Sequence, residues 1–310
     1  MWKYIIKRII TTFFILLAIT FIVFSLVYLT PGEPSYLILP IDATLEAHEH
    51  FNETHGLNRP FIVRYADYVF GIVTRFDFGL SFRTSTPVIE ELIRIFPVTF
   101  RLALFGVITT LLLGIPLGVL AAVKHTTAVD RGINTWAIFI GTVPGFFLAI
   151  VLMMIFAVRL GWFPVFGIGS WRHYILPVAS MAIPASAAFI RLSRAVMLDT
   201  VHMEYVKTAR AKGSFEWIVI WKHAFRNAML PVINGAGVFF AVLLGGTIIT
   251  EQIFAMHGIG MYALQALRLN DYPAIMASTI LLSFIFCIII LAIDVIYAFL
   301  DPRIKAKFSS

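Results

Sequence analysis

His48, His50 and His55 lie among Glu46, Glu49 and Glu53, a set of imidazoles and carboxylates of the kind that binds transition metals. Their spacing fits no standard site, and a solvated acidic loop carries the same residues, so no metal ligand is assigned. Asn52-Glu53-Thr54 matches a glycosylation sequon, a tripeptide short enough to arise by chance. Asp294 is an ionisable group near the end of a long apolar run. It could serve a proton relay, but no acid or base stands beside it in the run, and pairing with a basic residue near the inner surface is the expected role. The chain has no GxxxxGK phosphate loop, no HExxH zinc pair and no GxSxG nucleophile elbow. No catalytic, cofactor-binding or metal-ligating residue is therefore expected, and ATP hydrolysis is not expected of this chain.

The densest charged stretch is EYVKTARAKG at 204–213. Projected at 100° per residue, Tyr205, Val206, Ala209 and Gly213 share an arc about 100° wide, while Glu204, Lys207 and Arg210 face elsewhere. This reads as a short amphipathic helix with one small-residue face, and Gly213 suits its C-terminal cap. Phe215, Trp217, Ile218 and Trp221 follow, groups fitted to a membrane interface, and Leu230-Pro231 then opens a further apolar run. A helix resting on anionic lipid headgroups would use its basic residues for topology alone. Such a helix gains from bulky apolar groups, however, whereas Ala209 and Gly213 allow close backbone approach and suit docking into a protein groove.

The elements that must position this stretch are membrane helices. Hydrophobic residues make up 60% of the 310 residues and charged residues 13%, too apolar for a soluble domain. Charge-free runs occupy 9–29, 102–123, 133–158, 174–190, 227–250 and 272–293. A crossing helix needs roughly 20 apolar residues. The fourth run is the shortest, and the stems of Arg191 and Arg194 are expected to snorkel outward from it. Short alternating segments of a β-barrel are absent from the sequence. The first run is too long for a signal peptide and is expected to be an uncleaved helix. Pro116, Pro144, Pro177 and Pro184 fall inside runs and are expected to kink helices as part of packing.

Orientation follows from Lys and Arg. With the N-terminus inside, 15 of the 24 basic residues fall on inner segments, among them Lys3, Lys124, Arg303, Lys305 and Lys307, and 11 of the 17 acidic residues fall outside. Both termini are expected to be cytoplasmic. The net charge of +7 is accounted for by this asymmetry and gives no reason to expect nucleic-acid binding. The single cysteine, Cys287, excludes an intrachain disulfide. Residues 31–96 form one large outer segment, with apolar spacing at 57–72 suited to a short amphipathic helix. The segment 251–271, with its Gly-Ile-Gly at 258–260, is expected to be a hairpin or re-entrant piece.

The YVKTARAKG stretch, with Leu230-Pro231 beyond it, resembles the cytoplasmic coupling loop of ABC importer permeases, in the form seen in the peptide and nickel branch. Lys207 and Thr208 stand where the general pattern has Glu and Ala, and Gly213 matches its glycine. RPFIVRYADYVFGIVTRFDFGLSF at 59–82, EQIFAMHGIGMYALQALRLNDYPAI at 251–275 and DVIYAFLDPRIK at 294–305 resemble further segments of the branch. The resemblance implies an all-α integral membrane protein with six transmembrane helices, a cytoplasmic coupling helix between helices 4 and 5, and an external segment after helix 1. It divides the chain into 1–30, 31–96, 97–300 and a tail at 301–310. It implies a bacterial inner-membrane subunit importing di- or oligopeptides, with a second homologous permease, two ATPase subunits that bind ATP and Mg, and an extracytoplasmic binding protein. Glu204, Tyr205, Lys207, Thr208, Ala209, Arg210 and Gly213 would couple to the ATPase. Glu251, Phe254, Gly258, Gly260 and Asp271 would form an external gate or binding-protein contact. Nickel or a metal chelate is the alternative cargo. An ATP-independent secondary carrier is the other class, against which stand six helices, little intramembrane charge and no evident inverted repeat.

Overall fold

The computed structural model describes residues 2–300, with side chains placed for 5–296; the tail cations Arg303, Lys305 and Lys307 lie outside the described residues, as does the side chain of Lys3. In chain order the helices are α1 (Trp2–Tyr28), α2 (Pro34–Ile38), α3 (Leu45–Thr54), α4 (Phe61–Arg75), α5 (Val88–Val123), α6 (Ala128–Thr142), α7 (Gly145–Leu152), α8 (Arg172–Val201), α9 (Glu204–Ala211), α10 (Glu216–Ile218), α11 (Phe225–Gly246), α12 (Ile248–Ile253), α13 (Ile259–Arg268) and α14 (Tyr272–Leu300). Helix α7 continues as π-helix over Met153–Arg159, and α10 runs into α11 through π-helix at Val219–Ala224.

Five stretches are long and apolar enough to cross a bilayer: Ile5–Tyr28, Val88–Val123, Arg172–Val201, Glu216–Gly246 and Tyr272–Ile296. The sixth expected span is a bent pair, Ala128–Thr142 and Gly145–Arg159, turned by 90°. The sequence run 133–158 shows no charge at the bend. Its cause is Pro144, which disfavours helical backbone at the preceding residue. Val143 is extended, at φ −78° and ψ 121°. Pro177, Pro184 and Pro231 stay inside helices. The fifth span also begins before Leu230-Pro231, at Glu216, and the helix ends at Gly246, so the run 227–250 takes in a break and the start of α12.

The chain divides into two compact units. One comprises Phe100–Met256 and the chain from Ile289 onward. Its α8 packs against α5, α6 and α11. Gly114 and Gly118 of α5 let the α8 backbone close in: a Cβ at Gly118 would sit 2.6 Å from the Ile190 carbonyl oxygen and 2.6 Å from Ser193 Cβ. Small residues four apart give membrane helices this close approach. Gly118→Ala must therefore displace backbone, and overpacking of this kind costs about 1–3 kcal/mol. The expected result is a lower melting temperature of the purified protein; an unchanged one would mean that the two helices separate at little cost.

The other unit comprises Trp2–Thr99 and His257–Ile288. The amphipathic helix expected at 57–72 is α4, which packs along α1 rather than standing free as a cap. Tyr65 donates to the Leu17 carbonyl (3.1 Å), and Phe61 stacks edge-on against Phe21, Phe24 and Tyr28. The outer histidines go to aromatic partners: His48 stacks on Tyr36 at 4.0 Å, and His55 lies between Phe51 and Phe82. Burial lowers the pKa of His55. Among the described residues, no three His, Cys, Asp or Glu side chains converge to hold a metal ion.

Candidate functional site

Helix α9 forms where the sequence places it. Glu204 in its first turn favours the positive end of the helix, and Gly213 ends the turn at φ +76°, a left-handed conformation that costs a side-chain-bearing residue about 1–2 kcal/mol. Its small face turns inward. Val206 and Ala209 are buried in a cluster with Met197, Val219, Ala224 and Ala228 of the same chain. Ala209 thus packs closely against the chain's own π-helical segment. Glu204, Tyr205, Lys207, Thr208 and Gly213 are exposed.

Two cations of this stretch are already paired. Lys207 Nζ meets Glu204 at 2.8 Å, an exposed pair worth ~0–1 kcal/mol. The Arg210 guanidinium donates to Glu216 (2.7 Å), which raises its pKa and staples α9 to α10. Within its own chain, Arg210 is thus already paired with a carboxylate. Phe215 and Trp217 are exposed beyond it, and Trp217, Trp221 and Phe225 form a contiguous aromatic row.

A polar cluster that the sequence reading did not assign lies in the same unit. Asp130, in the first turn of α6, is buried, and its carboxylate accepts two bonds from Arg194 of α8, from Nε and a terminal nitrogen, both at 2.7 Å. The Thr126 amide (3.1 Å), Asn134 Nδ2 (2.7 Å) and His125 Nδ1 (3.2 Å) complete its shell. Arg194 does not snorkel; it turns to this carboxylate. The available signal was Thr127-x-x-Asp130, a helix-start pattern carrying the sole acid between Glu91 and Asp199.

The outer hairpin residues are also turned inward. Glu251 is fully buried, with the Thr247 hydroxyl donating to it at 2.8 Å, and Phe254 is buried. In the other unit, Gly258 and Gly260 are buried and flank the start of α13, whose Ile259 amide donates to Thr99 Oγ1 (2.8 Å). Asp271, also buried, accepts from the Ser81 hydroxyl and the Phe82 amide. Arg83 donates to the Leu269 carbonyl at 2.8 Å. Burial, then the charges of Asp271 and Glu91, push the Tyr262 hydroxyl up to about 12. All five hairpin residues are buried within the chain. Asp271 ties the hairpin to 81–83, so two sequence motifs about 190 positions apart form one structure.

With this helical architecture, residues 114–306 match the family described as binding-protein-dependent transport system inner membrane component, and residues 1–103 match its N-terminal companion family. The chain belongs to that family of importer permeases. The permease is 36% identical over 307 residues to the glutathione transport system permease protein GsiC of Escherichia coli strain K12, covering 99% of this chain and 100% of the relative. The Salmonella typhi protein of the same name matches to the same extent. Two inward-facing crystal forms of the MetNI methionine ABC transporter share the fold, with TM-scores of 0.59 and 0.56 at 18% identity. They cover 70% and 72% of the permease and 100% and 99% of those chains. The permease is thus an ABC importer membrane subunit, and the secondary-carrier class falls away.

Proposed function

We propose that the permease imports di- or oligopeptides, enclosing the path together with a second homologous permease. The observation that carries the peptide reading is the end-to-end 36% identity to a permease named for glutathione, itself a short peptide. The same similarity favours a peptide over nickel or a metal chelate. An extracytoplasmic binding protein delivers the cargo to the outer face. Two ATPase subunits, binding ATP and Mg, dock at α9 and supply the energy, consistent with a sequence that has no phosphate loop. The Lys and Arg asymmetry supports cytoplasmic termini and a cytoplasmic α9.

The test is uptake of a labelled di- or tripeptide in a strain lacking the cognate binding protein. Uptake at low concentration is expected to vanish and to return with the binding protein. Undiminished uptake with no substitute binding protein present would sink the reading, and nickel uptake in place of peptide uptake would reassign the cargo.

A further inference from the structure

The unit containing α1 and α4 holds a cavity of about 250 Å³ whose wall includes Phe24, Tyr28, Asn52, Arg64 and Tyr272. A neighbouring cavity of about 390 Å³ shares Arg64 with it. Small-molecule sites are commonly concave and mostly apolar, with a few convergent polar groups. Arg64 is half-buried, with its guanidinium carbon 5.5 Å from the Tyr28 ring centre and 5.9 Å from that of Phe24. Its one side-chain hydrogen bond among the described residues is a long one, 3.4 Å, to the Leu57 carbonyl. It makes no ion pair among the described residues, whereas nearby Arg59 pairs with Asp67 at 3.0 Å. A guanidinium carries five donors, so most of its fork is unspent.

The groups around it are unspent too. Tyr272 is 6% exposed, and its hydroxyl has no partner among the described residues. Asn52 Oδ1 is buried without one, and a half-turn of that amide would present a donor instead. The Tyr68 hydroxyl, on the wall of the second cavity, is likewise unpartnered. Buried polar groups are normally satisfied, and a cluster that is not calls for a missing partner.

We propose that this cavity is a binding site for a singly charged oxyanion, held on the Arg64 fork with Tyr272 as a supporting donor. Glu33 on the same wall disfavours a multiply charged ligand. A carboxylate or a phosphodiester matches the planar fork. Phe24 and Tyr28 lie on the last turns of the first span, so the site is within reach of both a lipid headgroup and a dissolved carboxylate.

The experiment titrates the purified importer complex in detergent with short-chain phosphatidylglycerol and, separately, with N-acetylglycine, reading binding by the shift in melting temperature. Arg64→Gln is expected to weaken binding at least tenfold and Tyr272→Phe several-fold, with Arg59→Gln unchanged. Tyr272→Phe removes a hydroxyl that has no partner among the described residues, so its melting temperature without added probe is expected to match wild type. Binding of the lipid alone assigns the source as a headgroup; binding of N-acetylglycine alone assigns it as a solute. If neither probe binds, or both variants bind as wild type does, the proposal is overturned.

Discussion

Asp130→Ala is expected to lower the stability of the permease by roughly 3–5 kcal/mol, the range for removing one partner of a buried ion pair. The carboxylate is 5% exposed, so it has little water to fall back on, while the Arg194 side chain is 24% exposed and keeps part of its hydration. The loss leaves Arg194 without two bonds of 2.7 Å and the Thr126 amide without its acceptor, while Asn134 Nδ2 keeps only the residue-130 backbone carbonyl (2.8 Å). Arg194→Ala is expected to cost a similar amount, because a carboxylate would then be buried without its cation. The double variant is expected to recover part of the sum, since desolvated charge is absent altogether. Melting of the purified complex, followed by circular dichroism, measures all three. If Asp130→Ala melted like wild type, or the two effects simply added, the pair would not be holding α6 to α8. The pair also bears on transport, because α9 follows directly from the end of α8 and packs against it.

The membrane helices were legible because hydrocarbon thickness leaves a length signature that sequence alone carries. Helix α9 and its Gly213 cap were legible for a similar reason: a 3.6-residue period and a left-handed terminus are local properties. The direction in which α9 turned its small face was not. Ala209 suits close packing against any neighbour, and only the tertiary fold decides that the neighbour is Val219 and Ala224 of the same chain. A kink was expected at Pro144 as at Pro116, Pro177 and Pro184; that it would reach 90° was not legible, because Pro177 and Pro184, in equally apolar surroundings, leave α8 helical. Asp271 was assigned to an external gate or binding-protein contact only through the resemblance of 251–275 to an importer segment. Its partners, Ser81 and Phe82, lie about 190 positions away, and no local pattern announces them. Arg194 was misread for the same reason, since its acceptor is 64 positions upstream.

A double variant on the exposed stripe of α9, Tyr205→Asp with Thr208→Trp, is expected to abolish peptide uptake and to cut copurifying ATPase more than tenfold. The choice follows from which residues are free. Ala209→Leu would overpack the chain's own core at about 1–3 kcal/mol and so would fail whether or not α9 docks on an ATPase. A Cβ added at Gly213 would meet no atom within 4 Å, but φ +76° strains any side chain there, so Gly213→Leu would fail for its backbone alone. Arg210→Glu would set two acids together in place of the Arg210–Glu216 pair. Tyr205 and Thr208 are three apart, exposed, and on one stripe of the helix. Changing them touches no buried contact, so the melting temperature of the permease itself is expected to stay within the range of a surface substitution, about 0.5 kcal/mol. Lys212→Glu beside the stripe is expected to weaken ATPase binding in a salt-dependent way, because an exposed charge is screened beyond about 8–10 Å at physiological ionic strength. Lys212→Cys, with Cys287→Ser, is expected to react with an impermeant thiol reagent only from the cytoplasmic side, and more slowly when ATPase is bound. Labelling from outside would reverse the orientation. If the double variant kept both its ATPase and its uptake, α9 would be an interfacial helix held by lipid headgroups, its exposed Phe215 and Trp217 serving as the anchor.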